Sequence, residues 1–231
     1  MNSVRLYYIA HQGESDLAQL EERQVNQWLS ELSLQKQASV QRLLHNSDQM
    51  ASLLATRLLI MCALHEDIEN FRLSDIQYPD KGKPGWKSKT GNFFDFNLSH
   101  SDKLIVVAAS KTMKVGIDAE KIRELKNLNF KKVLSADELT AIQERPALFF
   151  ELWSKKEAVV KAANTTGLAR MRDVKLKQNQ AVLDDKKWYL RNIDLNEQLS
   201  NQYAIHLATS EPVDEVIIKQ ILLSELLTAQ G

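Results

Sequence analysis

Apolar residues at helical spacing give way to alternating strand patterns twice along the 231 residues, with the handover near residues 111–114. A chain that runs from helix to strand twice is confined to mixed α+β architectures in which each helix covers its own sheet. After a leading strand over residues 4–10, Leu17, Leu20, Trp28, Leu29 and Leu32 predict a helix or helix pair within residues 14–34. Ser47-Asp48 reads as the N-cap of the next helix, whose buried stripe is Met50, Leu53, Leu54, Leu58, Met61 and Leu64. Residues 78–86 hold two prolines and two glycines and read as a loop.

Residues 94–99 and 104–110 predict a hairpin turning at Ser101-Asp102-Lys103, with a third strand over residues 115–120. Ser135 with Glu138 is a capping-box pattern. Pro146 suits the first turn of a further helix that runs to about Ala163 and stops at Asn164 and Gly167. Strands follow at 174–177, 187–193, 203–209 and 215–222. The expected fold class is α+β in two halves of similar size, residues 1–112 and 113–231.

Charge and cysteine usage remove whole classes of function. Thirty basic and 30 acidic residues leave a formal net charge of zero, so no global cationic field draws the chain to nucleic acid or to anionic lipid. Phosphate recognition must therefore come from a local cluster. Cys62 is the single cysteine, which excludes a disulfide framework and a cysteine-based zinc site within the chain. Apolar runs such as residues 104–109 fall far short of the ~20 residues a membrane span needs, and residues 1–10 have no secretory pattern. The expectation is a cytoplasmic protein with no membrane and no nucleic-acid partner.

The chemistry concentrates in two segments. On a strand over residues 115–120, Asp118 and Glu120 share one face while Ile117 and Ala119 take the other. On the helix after Pro146, Trp153, Glu157 and Lys161 recur at four-residue steps on one stripe. Each piece has an ordinary explanation when taken singly: a wet sheet face, an exposed helical ion pair, a core tryptophan. Three convergent carboxylates would instead repel one another unless a hard, oxygen-preferring cation sat among them, and magnesium is the natural candidate. Lys161 then offers a point charge to phosphate oxygens held by the same ion. Upstream, Lys83 between Gly82 and Pro84, with Ser99 and His100 at the end of the hairpin strand, are phosphate-compatible donors. No phosphate loop, dinucleotide fingerprint, zincin motif or nucleophile elbow is present. The attacking group is therefore expected on a second substrate.

Four ordered blocks, Gly82-Lys83-Pro84, Phe96-Asn97-Leu98-Ser99-His100-Ser101, Gly116-Ile117-Asp118-Ala119-Glu120 and the run from Trp153 to Lys161, resemble the 4′-phosphopantetheinyl transferases of the longer, monomeric, surfactin-synthetase-activating type. The resemblance implies a pseudo-dimer of two α/β halves with the active site in the cleft between them. It implies magnesium on Asp118, Glu120 and Glu157, holding the diphosphate of coenzyme A. It further implies Lys161 on the phosphates, Lys83, Ser99 and His100 toward the nucleotide end, and Lys156 among the coenzyme A contacts. Related chains carry arginines where this one has Ala51 and Ile60 or Met61, and Arg57 is the nearest substitute for gripping coenzyme A. By the same resemblance a serine of an apo acyl or peptidyl carrier protein attacks phosphorus and adenosine 3′,5′-bisphosphate leaves. Glu157 is the expected general base, Glu120 its rival. The carrier is expected to be acidic, and Lys121, Arg123, Lys126, Lys131 and Lys132 form a basic run able to meet it. Two rival readings are a non-catalytic carrier-binding module of the same fold and a magnesium-dependent nucleotide pyrophosphatase.

Overall fold

The structure is a computed structural model that describes residues 1–11, 22–41, 47–125, 130–195 and 197–228, with side chains outside the description at 39–49, 198, 200, 227 and 228. Leu17, Leu20, Lys126 and the side chains of the Ser47-Asp48 cap fall outside it.

Two mainly antiparallel sheets face each other, each with a long helix on its outer side. The first has strand order β11-β1-β5-β4, built from β1 (Ser3–Ala10), β4 (Asp95–Ser101), β5 (Leu104–Ser110) and β11 (Glu215–Gln220). Helices α1 (Glu22–Ser30), α2 (Leu34–Gln41) and α3 (Ser47–His65) lie on this half. Leu53, Leu54, Leu58, Leu59 and Cys62 of α3 pack with Tyr7, Ile9, Ile105 and Val107 in one core. Because α3 is apolar nearly all round it is enclosed by α1, the sheet and the segment after it, whereas Leu64, expected on its stripe, is exposed.

The second sheet has order β6-β10-β9-β8-β7, with β6 (Val115–Lys121), β7 (Lys175–Lys177), β8 (Gln180–Leu183), β9 (Lys186–Asn192) and β10 (Tyr203–Thr209). Helix α4 (Ala136–Glu144) carries the expected cap: Ser135 Oγ accepts from the Glu138 N–H and Glu138 Oε2 accepts from the Ser135 N–H. Helix α5 (Leu148–Ala162) lies across β6 and β10 and is followed by α6 (Leu168–Asp173). The remaining short helices are α7 (Glu197–Ser200) and α8 (Leu223–Thr228). Between the sheets, Val4, Leu6, Val106 and Ala108 meet Val115, Ile117, Ala119, Ile205 and Leu207.

Besides short elements absent from the sequence reading, such as β8 and α6, two strand pairings depart from it. Within the segment read as a loop, Gly85–Trp86 (β3) pairs with Ile76–Gln77 (β2), a ladder too short to leave an alternation pattern. The strand over Glu215–Gln220 joins the first sheet, parallel to β1, with Ser3 opposite Glu215 and Tyr8 opposite Gln220. Sheet membership therefore does not follow a division of the chain at residue 113.

Candidate active site

The site begins with the alternation of β6. Val115, Ile117 and Ala119 enter the core between the sheets, so Gly116, Asp118 and Glu120 turn toward α5. Gly116 permits this approach: a Cβ there would lie 2.1 Å from the Ala158 carbonyl oxygen and 2.4 Å from the Ala162 nitrogen. With the helix backbone against the strand, Lys161 reaches Asp118. Its Nζ lies 2.7 Å from Asp118 Oδ1 and donates also to the Ile117 carbonyl at 3.2 Å and Ser99 Oγ at 3.3 Å.

Asp118 is 3 % exposed, which removes the wet-face explanation. Its Oδ1 is satisfied by Lys161 and Ser99, but its Oδ2 is buried with no hydrogen-bond partner. A buried acceptor-only oxygen without a donor is costly and calls for a positive partner. The neighbouring acids carry the same strain. Burial, reinforced by the Asp118 charge, pushes the Glu120 carboxyl up to about 7, against the pull of Lys161. Glu157 is also raised, chiefly by burial, with Asp118 adding to it and Lys161 opposing. Three partly or fully buried carboxyls and one ammonium thus influence one another electrostatically, and the orphaned Asp118 oxygen is of the kind a hard cation takes. Among the described residues no group of three or more acids, histidines or cysteines is drawn together closely enough to hold a metal ion. Trp153, on the same helix stripe, packs against Phe149 with ring centroids 5.5 Å apart, as a core residue.

A row of β4 side chains fixes where β6 sits. Asp95 Oδ2 accepts from the Val115 N–H, Asn97 Oδ1 from Ile117, Ser99 Oγ from Ala119 and Ser101 Oγ from Lys121, at 2.8, 2.8, 3.2 and 3.0 Å. These N–H groups belong to the edge of β6 opposite its partner β10. Polar side chains at every second position of one edge strand thus satisfy every second amide of another, and no bare edge remains along this stretch. The sequence signal was a period-two polar row; Asp95 and Ser101, its outer members, were not singled out from it.

Lys83 belongs to the same joint. Its Nζ contacts Asp95 Oδ2 at 2.5 Å and the Val115 carbonyl at 2.6 Å, and burial lowers its pKa despite Asp95. Its backbone N–H donates to Asn164 Oδ1 at 2.8 Å, a partner not expected from sequence beyond its helix-stopping role. Ser154 and His206 are a further unexpected pair. His206 stands opposite Asp118 in the β6–β10 register, and its Nδ1 lies 2.7 Å from Ser154 Oγ. Burial, with Lys155 adding to it, pushes the His206 pKa down to about 3.

Of the expected ligand contacts, Lys156 and Arg57 are buried and paired within the protein, while His100 is exposed. Lys156 is fully buried on the far side of α5, donating to the Met171 and Val174 carbonyls at 3.2 and 3.1 Å and paired with Glu138 at 3.0 Å. It ties α4, α5 and the end of α6 together and presents nothing to a ligand. Arg57 is buried in the first half, paired with Glu31 and stacked 5.0 Å over Trp28, so it does not replace the arginines missing at Ala51 and Ile60 or Met61. His100 is exposed and, by strand alternation, sits on the face of β4 opposite Ser99. Of the basic run, Arg123, Lys131 and Lys132 are exposed, while Lys121 is engaged by Gln202 and lies over the Tyr203 ring. No helix among the described residues is long and apolar enough to cross a membrane.

Comparison with known proteins covers both halves. Residues 114–213 match the profile of the 4′-phosphopantetheinyl transferase superfamily, and residues 19–112 match that of the 4′-phosphopantetheinyl transferase N-terminal region. The 4′-phosphopantetheinyl transferase psf-1 of Bacillus pumilus is 31 % identical over 144 residues, 60 % of this chain and 60 % of that protein. The 4′-phosphopantetheinyl transferase AcpT of Salmonella typhi is 36 % identical over 118 residues, 48 % of this chain and 57 % of that one. The 4′-phosphopantetheinyl transferase gsp of Aneurinibacillus migulanus is 32 % identical over 145 residues, 58 % and 56 % of the two chains. The chain thus spans less than two thirds of the length of each of these relatives. Two adjoining profile matches, spanning residues 19–112 and 114–213, place this chain in the 4′-phosphopantetheinyl transferase superfamily.

Proposed function

We propose that this protein transfers the 4′-phosphopantetheine group of coenzyme A to a serine hydroxyl of an apo acyl or peptidyl carrier protein. The observation that carries the reading is Asp118: one carboxylate oxygen clamped by Lys161 and Ser99, the other buried and unpartnered beside two acids with raised pKa values. Asp118, Glu120 and Glu157 would hold a magnesium ion, whose chemistry is to neutralise charge on the diphosphate as the bond to the leaving group breaks. Lys161 would offer its ammonium to the same phosphate oxygens. The carrier serine oxygen forms a bond to the phosphorus nearer the pantetheine, and the bond from that phosphorus to the bridging oxygen breaks. Adenosine 3′,5′-bisphosphate leaves with the electron pair. The serine proton passes to the Glu157 carboxylate, directly or through a water, with Glu120 as the competing acceptor. Because the nucleophile arrives on the partner, the protein needs no Ser-His-Asp set of its own.

Both sheets lie in one chain, so the protein is proposed to act as a monomer. The exposed Arg123, Lys131 and Lys132 are proposed to meet an acidic carrier by charge complementarity. The test is to mix the protein with coenzyme A, magnesium and a panel of apo carriers and read intact masses. A phosphopantetheine adduct that disappears with chelator supports the proposal. Release of adenosine 3′,5′-bisphosphate without any carrier would point to a pyrophosphatase instead, and coenzyme A binding with no adduct on any carrier to a non-catalytic module.

A further inference from the structure

We infer that Asn164 is a positioning residue, a latch that ties the Gly82-Lys83 loop of the first half to the end of the helix bearing Glu157 and Lys161. The inference rests on the coenzyme A reading above and adds a residue to it. Asn164 follows α5 in the left-handed conformation, φ 56°. Its N–H donates to the Lys161 carbonyl, and the Thr165 N–H donates to the Val160 carbonyl, both at 3.1 Å. This is the two-bond Schellman ending, in which the left-handed position takes glycine most readily and asparagine next. Glycine would close the helix equally well but has no side chain; asparagine supplies the oxygen that accepts from the Lys83 N–H at 2.8 Å.

The loop is shaped to receive it. Gly82 has φ 102°, and a Cβ there would come within 2.5 Å of Asn164 Oδ1, so the loop lies directly on the asparagine amide only because residue 82 has no side chain. Beyond the latch, Lys83 sends its ammonium to Asp95 of β4 and the Val115 carbonyl of β6. One residue is therefore held by its backbone to α5 and by its side chain to both facing strands. The separation between the loop proposed for the nucleotide end and the acids proposed for the diphosphate is set by this three-way hold. A substrate with charges at both ends gains from such preorganisation, since the loop need not be ordered on binding.

The experiment compares wild type, Asn164→Gly and Asn164→Asp by coenzyme A calorimetry, thermal melting and hydrogen exchange at the Lys83 amide. Asn164→Gly keeps the helix ending, so its melting temperature is expected to hold. Its coenzyme A affinity is expected to fall about three- to tenfold, the worth of one hydrogen bond, and the Lys83 amide to exchange faster. Asn164→Asp, which keeps an acceptor oxygen, is expected to restore both. Wild-type affinity and wild-type Lys83 protection in Asn164→Gly would overturn the latch. Amide exchange needs no ligand, so it decides the latch even if wild-type protein fails to bind coenzyme A, a result that would sink the functional reading separately.

Discussion

Ser99 donates its hydroxyl to Asp118 Oδ1 across 3.1 Å while Ser99 Oγ itself accepts the Ala119 N–H at 3.2 Å. One side chain thereby orients the metal-site candidate and closes the strand edge that carries it. Ser99→Ala leaves the buried Ala119 N–H without an acceptor, an expected loss of about 1–3 kcal/mol in urea unfolding. Activity is expected to fall less than in an Asp118 variant, because Lys161 still holds Oδ1. Unchanged unfolding in Ser99→Ala would show that the hydroxyl does not support the edge.

Asp118→Ala is expected to abolish carrier modification, by at least about a hundredfold, and to remove any stabilisation by added magnesium. Folding should persist, because the carboxylate's second oxygen is already unpaired in the native state. Circular dichroism and adenosine 3′,5′-bisphosphate release, each with and without chelator, check both halves of the statement. Ile117→Asp, one position earlier and 0 % exposed between the sheets, is expected instead to prevent stable folding.

Lys156 adjoins Glu157 in sequence, yet its buried pair with Glu138 predicts a stability phenotype. Lys156→Ala strands the Glu138 carboxylate and two carbonyls, and breaking such a pair from one side typically costs about 3–5 kcal/mol. Lys156→Met, which restores the volume, should recover part of this loss, and coenzyme A affinity of the folded protein should match wild type. A loss of affinity in folded Lys156→Met would return Lys156 to the ligand site.

His206 makes stability fall on the acid side. Its folded pKa of about 3 lies below the ordinary value near 6.5, so the unfolded chain binds the proton first as pH drops. The stabilisation is complete above pH 6.5 and is lost progressively between 6.5 and 3, at up to ~1.4 kcal/mol per pH unit. His206→Gln is expected to lose about 1–2 kcal/mol less than wild type on going from pH 7.5 to 5, read from urea midpoints. Parallel slopes in the two proteins would rule the histidine out as the source.

Local patterns were readable. The capping box at Ser135, the helix closure at Asn164, the hairpin from Asp95 to Ser110 and the division of β6 into core and site faces all depend on residues within a few positions of one another. The facing of Asp118 and Lys161 was equally readable, because strand and helix periodicity put each on its own element's site face before any tertiary contact is known. The failures share a cause in distance along the chain. Arg57 is decided by Glu31 and Trp28 on another helix, and Lys156 by carbonyls at 171 and 174. The Asn164 contact with Lys83 spans 81 residues and the row from β4 to β6 about 20. Each is a packing outcome that no short window contains.

The parallel pairing of β11 with β1 bears on how the molecule is made. Ser3 hydrogen-bonds in register with a strand that begins at Glu215, so the first sheet lacks its outer strand until nearly all of the described chain has left the ribosome. Contacts of such long range impose a large loop-closure entropy and slow the approach to the native state. Completion of the first sheet is thereby made to wait on a strand that follows the whole second sheet in the sequence.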